Sequence, residues 1–237
     1  MPSLRPLARR SRHLTSWSRV ALVALVTLAA ACGKDDSSSP TAIGTVTLVS
    51  GDAQSVTVGL PGAQPMVVHV TAQNGSSLAG APVKWAITAG GGTLADTVST
   101  TGADGNASMT FTAGTLATTM SISATTGVLL PLVMTQKVTA TVAASMAKFG
   151  GDGAAGLVNA GVQVVVKIAD KYGNAVSGVT VNWTAGPEGG TLNASSSVSD
   201  VAGLARITIT LGASPKVYTV RAASGSFAEV VFSVTGI

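Results

Sequence analysis

The second half of this chain repeats the first. Residues 75–127 align on residues 173–225 without a gap, at a constant offset of 98. Trp85 falls on Trp183, and Gly91-Gly92-Thr93-Leu94 falls on Gly189-Gly190-Thr191-Leu192. Gly75, Gly80, Gly105, Gly114 and Gly127 meet Gly173, Gly178, Gly203, Gly212 and Gly225. A solenoid unit runs roughly 20–50 residues, so this period is too long for one. It is the length of one β-sandwich. The chain therefore reads as two copies of one domain behind an N-terminal leader.

Within each copy, apolar and polar residues alternate in short runs. Val68 and Val70 alternate with Val67, His69 and Thr71, and Val181 and Trp183 with Thr180, Asn182 and Thr184. Ile207, Ile209 and Leu211 alternate with Arg206, Thr208 and Thr210. A period of two sends one set of side chains into a core and the other toward water. The β-branched residues that dominate these runs favour strands. Turn signals at Asn74-Gly75, Asp104-Gly105-Asn106, Gly173-Asn174 and Gly203 separate them. Trp85 and Trp183 occupy the same place in the two copies, and we read them as core anchors rather than exposed stacking surfaces.

The leader carries Arg5, Arg9, Arg10, Arg12 and Arg19, followed by an apolar run from Val20 to Ala31. Those 12 residues suit the apolar part of an export signal and fall short of the roughly 20 needed to span a bilayer. The run ends at Ala29-Ala30-Ala31-Cys32-Gly33, which resembles the lipobox of bacterial lipoproteins, although Leu28 lies one place further from the cysteine than in the commonest form. The resemblance implies a signal peptide over 1–31 and lipid attachment at Cys32, the only cysteine of the chain. Residues 32–44, with Lys34-Asp35-Asp36-Ser37-Ser38-Ser39-Pro40, read as a flexible tether. Gly33 in place of an acidic residue favours the outer membrane by analogy with enteric lipoproteins.

The leader also distorts the charge. The whole chain is formally +4, but five of its 14 basic residues precede Cys32 and all ten acidic residues follow it. The remaining nine bases against ten acids leave the mature chain at −1. That balance gives no basic face for nucleic acid.

A family resemblance rests on several stretches. These are Val49 to Ser55, Val67 to Thr71, Leu78-Ala79-Gly80-Ala81-Pro82-Val83-Lys84-Trp85, and Thr101-Gly102-Ala103-Asp104-Gly105-Asn106-Ala107. In the second copy they are Val164 to Asp170, Tyr172-Gly173-Asn174-Ala175-Val176-Ser177-Gly178-Val179-Thr180-Val181, and Gly189 to Leu192. Together these resemble the bacterial Ig-like domain of the invasin/intimin type. The pattern departs from the family at Pro187-Glu188 and at Asp200-Val201-Ala202-Gly203. The resemblance implies an all-β chain with two tandem Ig-like antiparallel sandwiches, over 45–139 and 141–237, after the signal and anchor segment. The family supplies stalks and adhesion modules.

The sequence holds little that could carry chemistry. His13 lies in the leader, and His69 sits at a strand position that holds Lys167 in the second copy. There is no Cys/His cluster for zinc and no nucleophile elbow, P-loop or dinucleotide-binding glycine pattern. Asp52, Asp96, Asp104, Asp152, Asp170 and Asp200 are scattered singly and read as turn formers rather than calcium ligands. No catalytic residue, metal or cofactor is expected. The expectation is a non-enzymatic, lipid-anchored envelope protein that acts as an adhesive or spacer module. Its partners would be the membrane, through the anchor, and cell-surface proteins or glycans. The alternative is a surface-exposed module that binds glycans or small molecules.

Overall fold

A computed structural model describes residues 42–237. The expected signal peptide, Cys32 and most of the tether lie outside the described residues. The described residues fall within one compact unit, Pro40–Ile237, and contain strands and turns without a helix.

The first copy holds ten strands. They are β1 (Ile43–Ser50), β2 (Ser55–Thr57), β3 (Met66–Ala72), β4 (Pro82–Ala89), β5 (Gly92–Leu94), β6 (Val98–Thr100), β7 (Asn106–Met109), β8 (Phe111–Ala113), β9 (Thr119–Thr125) and β10 (Leu132–Thr139). The second holds nine: β11 (Ala143–Gly150), β12 (Ala155–Gly156), β13 (Gly161–Asp170), β14 (Thr180–Ala185), β15 (Thr191–Leu192), β16 (Ser196–Val198), β17 (Leu204–Thr210), β18 (Val217–Ala223) and β19 (Val230–Gly236). In the first copy, a β1-β3-β7 sheet and the small β5-β8 ladder face a β2-β10-β9-β4-β6 sheet. In the second, a β11-β13-β17-β15 sheet faces a β12-β19-β18-β14-β16 sheet. Strand β17 is continuous where its counterpart is broken into β7 and β8 at Thr110.

Each copy encloses its own core. The first gathers Val68, Val70, Trp85, Met120, Ile122 and Met134, and the second Val166, Ile168, Trp183, Tyr218, Val220 and Phe232. The alternation read from the sequence sets this: Met66, Val68, Val70 and Ala72 of β3 point inward while the residues between them stay half-buried. Both tryptophans are buried, and each indole N–H donates to a serine hydroxyl two strands of sequence away. Trp85 bonds Ser99 at 2.8 Å and Trp183 bonds Ser197 at 2.9 Å. A buried indole needs such a partner, and the same one recurs in both copies.

The ladders also locate where the repeat slips. Ile43 pairs with Ala72 and Ala143 pairs with Asp170, so the first strands correspond at an offset of 100 while the rest correspond at 98. The difference lies between Leu60 and Met66, a connection two residues longer than its counterpart. The altered turn at Asp200 keeps its shape. Gly105 and Gly203 both adopt positive φ, +77° and +74°. A side chain at either would press on a neighbouring carbonyl, that of Val70 or Ile168. Glycine alone meets both demands.

Candidate functional site

A small buried polar cluster joins the two sandwiches. The turn after β13 in the second sandwich reaches back to the segment after β8 in the first. Asn174 accepts a hydrogen bond from the backbone N–H of Ala117 at 2.8 Å and donates to the carbonyl of Thr115 at 2.8 Å. The same amide donates to Asp170 at 3.0 Å. Asp170 also accepts the backbone N–H groups of Asn174 and Tyr172, both at 2.9 Å, and that of Thr141 in the connection at 3.1 Å. Asp170 is 3% exposed and Asn174 7%.

Burial alone would raise the Asp170 pKa. The Asn174 amide and the surrounding backbone N–H groups outweigh it and hold the carboxyl below its ordinary 3.8. The anion is the form this cluster is built around. Among the described residues, no buried side-chain nitrogen or oxygen lacks a partner.

This junction is specific to one end of each sandwich. In the first copy the positions of Asp170, Tyr172 and Asn174 are held by Ala72, Asn74 and Ser76. At the far end of the second copy, the position of Ala117 is held by Pro215, which has no N–H to donate. Matching ladder bonds fix that correspondence: Val138 donates to Thr118, and Gly236 to Lys216. The sequence marks Asp170 and Asn174 as turn formers; Asp170 ends β13 and binds the turn that Asn174 closes, and what the sequence does not show is that Asn174 also bridges the copies. The available signal was the asymmetry itself, a charged and amide pair in one turn against alanine and serine in its twin.

A second polar row lies on the first sandwich. His69 donates from Nδ1 to Asn106 at 3.0 Å, and Ser77 Oγ lies 3.4 Å from His69 Nε2. Asn106 donates in turn to Asp104 at 2.7 Å. The order serine, histidine, amide resembles a nucleophile with its base. However, Ser77 is exposed and its contact with His69 is long. The second copy replaces the row with Lys167, Ala175 and Leu204. The row ties the β3–β4 turn to β7. His69 is therefore half-buried and bonded, rather than simply facing solvent.

Among the described residues, no group of three or more His, Cys, Asp or Glu side chains is placed to hold a metal ion. The described aromatic side chains that are exposed are Phe149 and Tyr172. Each carries a lysine ammonium over its ring, Lys167 at 6.0 Å and Lys171 at 4.8 Å. A shallow groove beside the junction, lined by Gly90 to Thr93 and Thr112 to Leu116, has no charged side chain in its wall.

Fold and junction together define a tandem β-sandwich protein of the Ig-like class. Residues 154–234 match the family model of the bacterial Ig-like domain (group 1). The match covers the second sandwich, of which the first is the internal copy at the offset of 98 residues. No curated protein matches the chain in sequence. Among solved structures, it is similar to the D0-D1 domain of intimin, at 20% identity over 80% of this chain and 98% of that one, with a TM-score of 0.34. It is also similar to the Yersinia pseudotuberculosis adhesin InvE, at 21% identity over 83% and 60%, TM-score 0.38. A third likeness is to the Escherichia coli adhesin FdeC, at 16% identity over 81% and 64%, TM-score 0.44. At these identities the likeness is one of fold.

Proposed function

We propose that this chain is a non-enzymatic cell-envelope lipoprotein, held through Cys32, whose two sandwiches form a stiff adhesive or spacer module. The observation that carries the reading is the buried bridge from Asn174 to Thr115 and Ala117. A polar cluster of this kind fixes direction as well as distance, because each bond has its own angle. A stalk needs that, and a pair of freely hinged beads does not have it. The names of the similar structures, intimin and two adhesins, are in keeping with an adhesive role. Among the described residues only Phe149 and Tyr172 are exposed aromatics, and each has a lysine ammonium near its ring, which favours the stalk over the glycan-binding alternative.

Two measurements test this. Cells fed an alkyne fatty-acid analogue should label the wild type and leave Cys32→Ser unlabelled. A wild type without label, with its mature N-terminus elsewhere, would sink the anchor. A screen of the mature chain against cell-surface glycans and host matrix proteins then separates the roles. Saturable binding identifies an adhesin, and a spacer gives none.

A further inference from the structure

The turn between β9 and β10, Thr126 to Pro131, carries the most exposed apolar side chains of the first sandwich. Val128 is 101% exposed and Leu130 88%. The turn is closed by the Leu129 N–H donating to the Thr126 carbonyl at 3.3 Å, so these side chains sit on a defined tip. Its twin in the second sandwich has the same closure, Phe227 to Ser224 at 3.1 Å. There the tip reads Ser226, Phe227, Ala228, Glu229, with Phe227 half-buried and Glu229 paired to Arg221. The backbone turn therefore does not require apolar side chains, and the first copy places them in solvent without a structural need.

The position of this tip supplies a reason. Gly127 lies against Ile43, at the start of β1, and Gln73 donates to the carbonyl of Ala42 at 3.0 Å. The tip is thus at the end of the sandwich where the chain arrives from Cys32, ten residues before Ala42. Fully extended, ten residues reach at most about 36 Å. A lipid at Cys32 would hold this end within that distance of the bilayer. Covalent linkage at such short range raises the effective concentration of membrane around the tip to the millimolar range. A tip of four residues is too small for a specific protein interface, which takes about 800 Å² per partner. It is large enough to dip into a lipid interface. Pro131 lacks an N–H, which leaves one fewer donor to strip of water there.

We propose that the Val128–Pro131 tip rests in the interfacial layer of the membrane that holds the anchor, so that the first sandwich stands on the bilayer. This rests on the Cys32 anchor reading, and the experiment separates the two. The acylated protein with Val128→Cys, carrying an environment-sensitive dye, is placed in phosphatidylethanolamine–phosphatidylglycerol vesicles, with Ser226→Cys as the matched tip. The label at 128 should emit to the blue of the label at 226. Nitroxide lipids should quench it at least threefold more strongly. The mature chain from Gly33, held instead by an N-terminal histidine tag on nickel-chelating lipid, should give the same contrast. If the first protein carries no acyl chain but the nickel-held protein shows the contrast, the anchor reading falls and the tip proposal stands. Equal, water-like emission at 128 and 226 in the nickel-held protein overturns the tip proposal, whatever the fate of Cys32.

Discussion

Asn174 of the second sandwich accepts the Ala117 N–H of the first across 2.8 Å, 57 residues apart in sequence. That contact, with the donation to Thr115 beside it, couples two units that otherwise keep separate cores.

Removing the amide should uncouple them. Asn174→Ala would leave the Ala117 N–H, the Thr115 carbonyl and the Asp170 carboxylate short of partners. A loss of about 1–3 kcal/mol is expected for stranded buried polar groups. The cores should stay folded, with near-unchanged β circular dichroism. Small-angle scattering should show a broader distribution of end-to-end distances. An unchanged scattering curve would mean that the amide is not what stiffens the joint.

The joint should also respond to acid. The Asp170 carboxyl is held below its ordinary 3.8 in the folded state, so the stability it contributes is present above that value and fades as the pH falls through the lowered one. Asp104, Asp152, Asp200 and Glu188 are lowered too, which makes acid destabilisation general. The comparison that isolates Asp170 is the melting temperature from pH 7 to about pH 2.5 in wild type and Asp170→Asn. The variant should be less stable at neutral pH and lose less on acidification. Parallel curves would rule out the titration.

The paired tryptophans should be equivalent. Trp85→Ala or Trp183→Ala is expected to cost its own sandwich about 3–5 kcal/mol. The other should be little changed, because distant sites act nearly independently. Both indoles should emit to the blue and resist iodide quenching. Fast quenching, or a variant of unchanged stability, would contradict their burial.

Each copy should fold alone. At about 95 residues, fragments 42–140 and 141–237 are large enough to bury a core, and the structure gives each its own. Each should melt cooperatively as a β protein. Failure of both would show that neither core is sufficient without its neighbour.

Much of this was legible in the sequence. Trp85, Trp183 and the alternation through Val68 and Val70 announce a sandwich core, because a period of two has one geometric meaning. The glycines at 105 and 203 announce a left-handed turn even where the residues before Gly203 have changed. The junction was not legible, because a turn-forming Asp and Asn look alike whether they close their own loop or also grip a neighbour. Only the fold brings Asn174 to Ala117. The two-residue change of offset was hidden for a similar reason: the segment before Met66 has few matching residues, and the ladders alone show which strand positions correspond.

Pro215 in the place of Ala117 makes the coupling directional. A sandwich of this chain has a gripping end and a gripped end, and only one copy carries each in working form. The residues that grip are in the second copy and the N–H that is gripped is in the first. Reversing the order of the copies would bring Ala72 and Ser76 against Pro215, with no carboxylate at the position of Asp170, no amide at that of Asn174 and no N–H at that of Ala117. The two halves look interchangeable by repeat, yet they can be read in one order only.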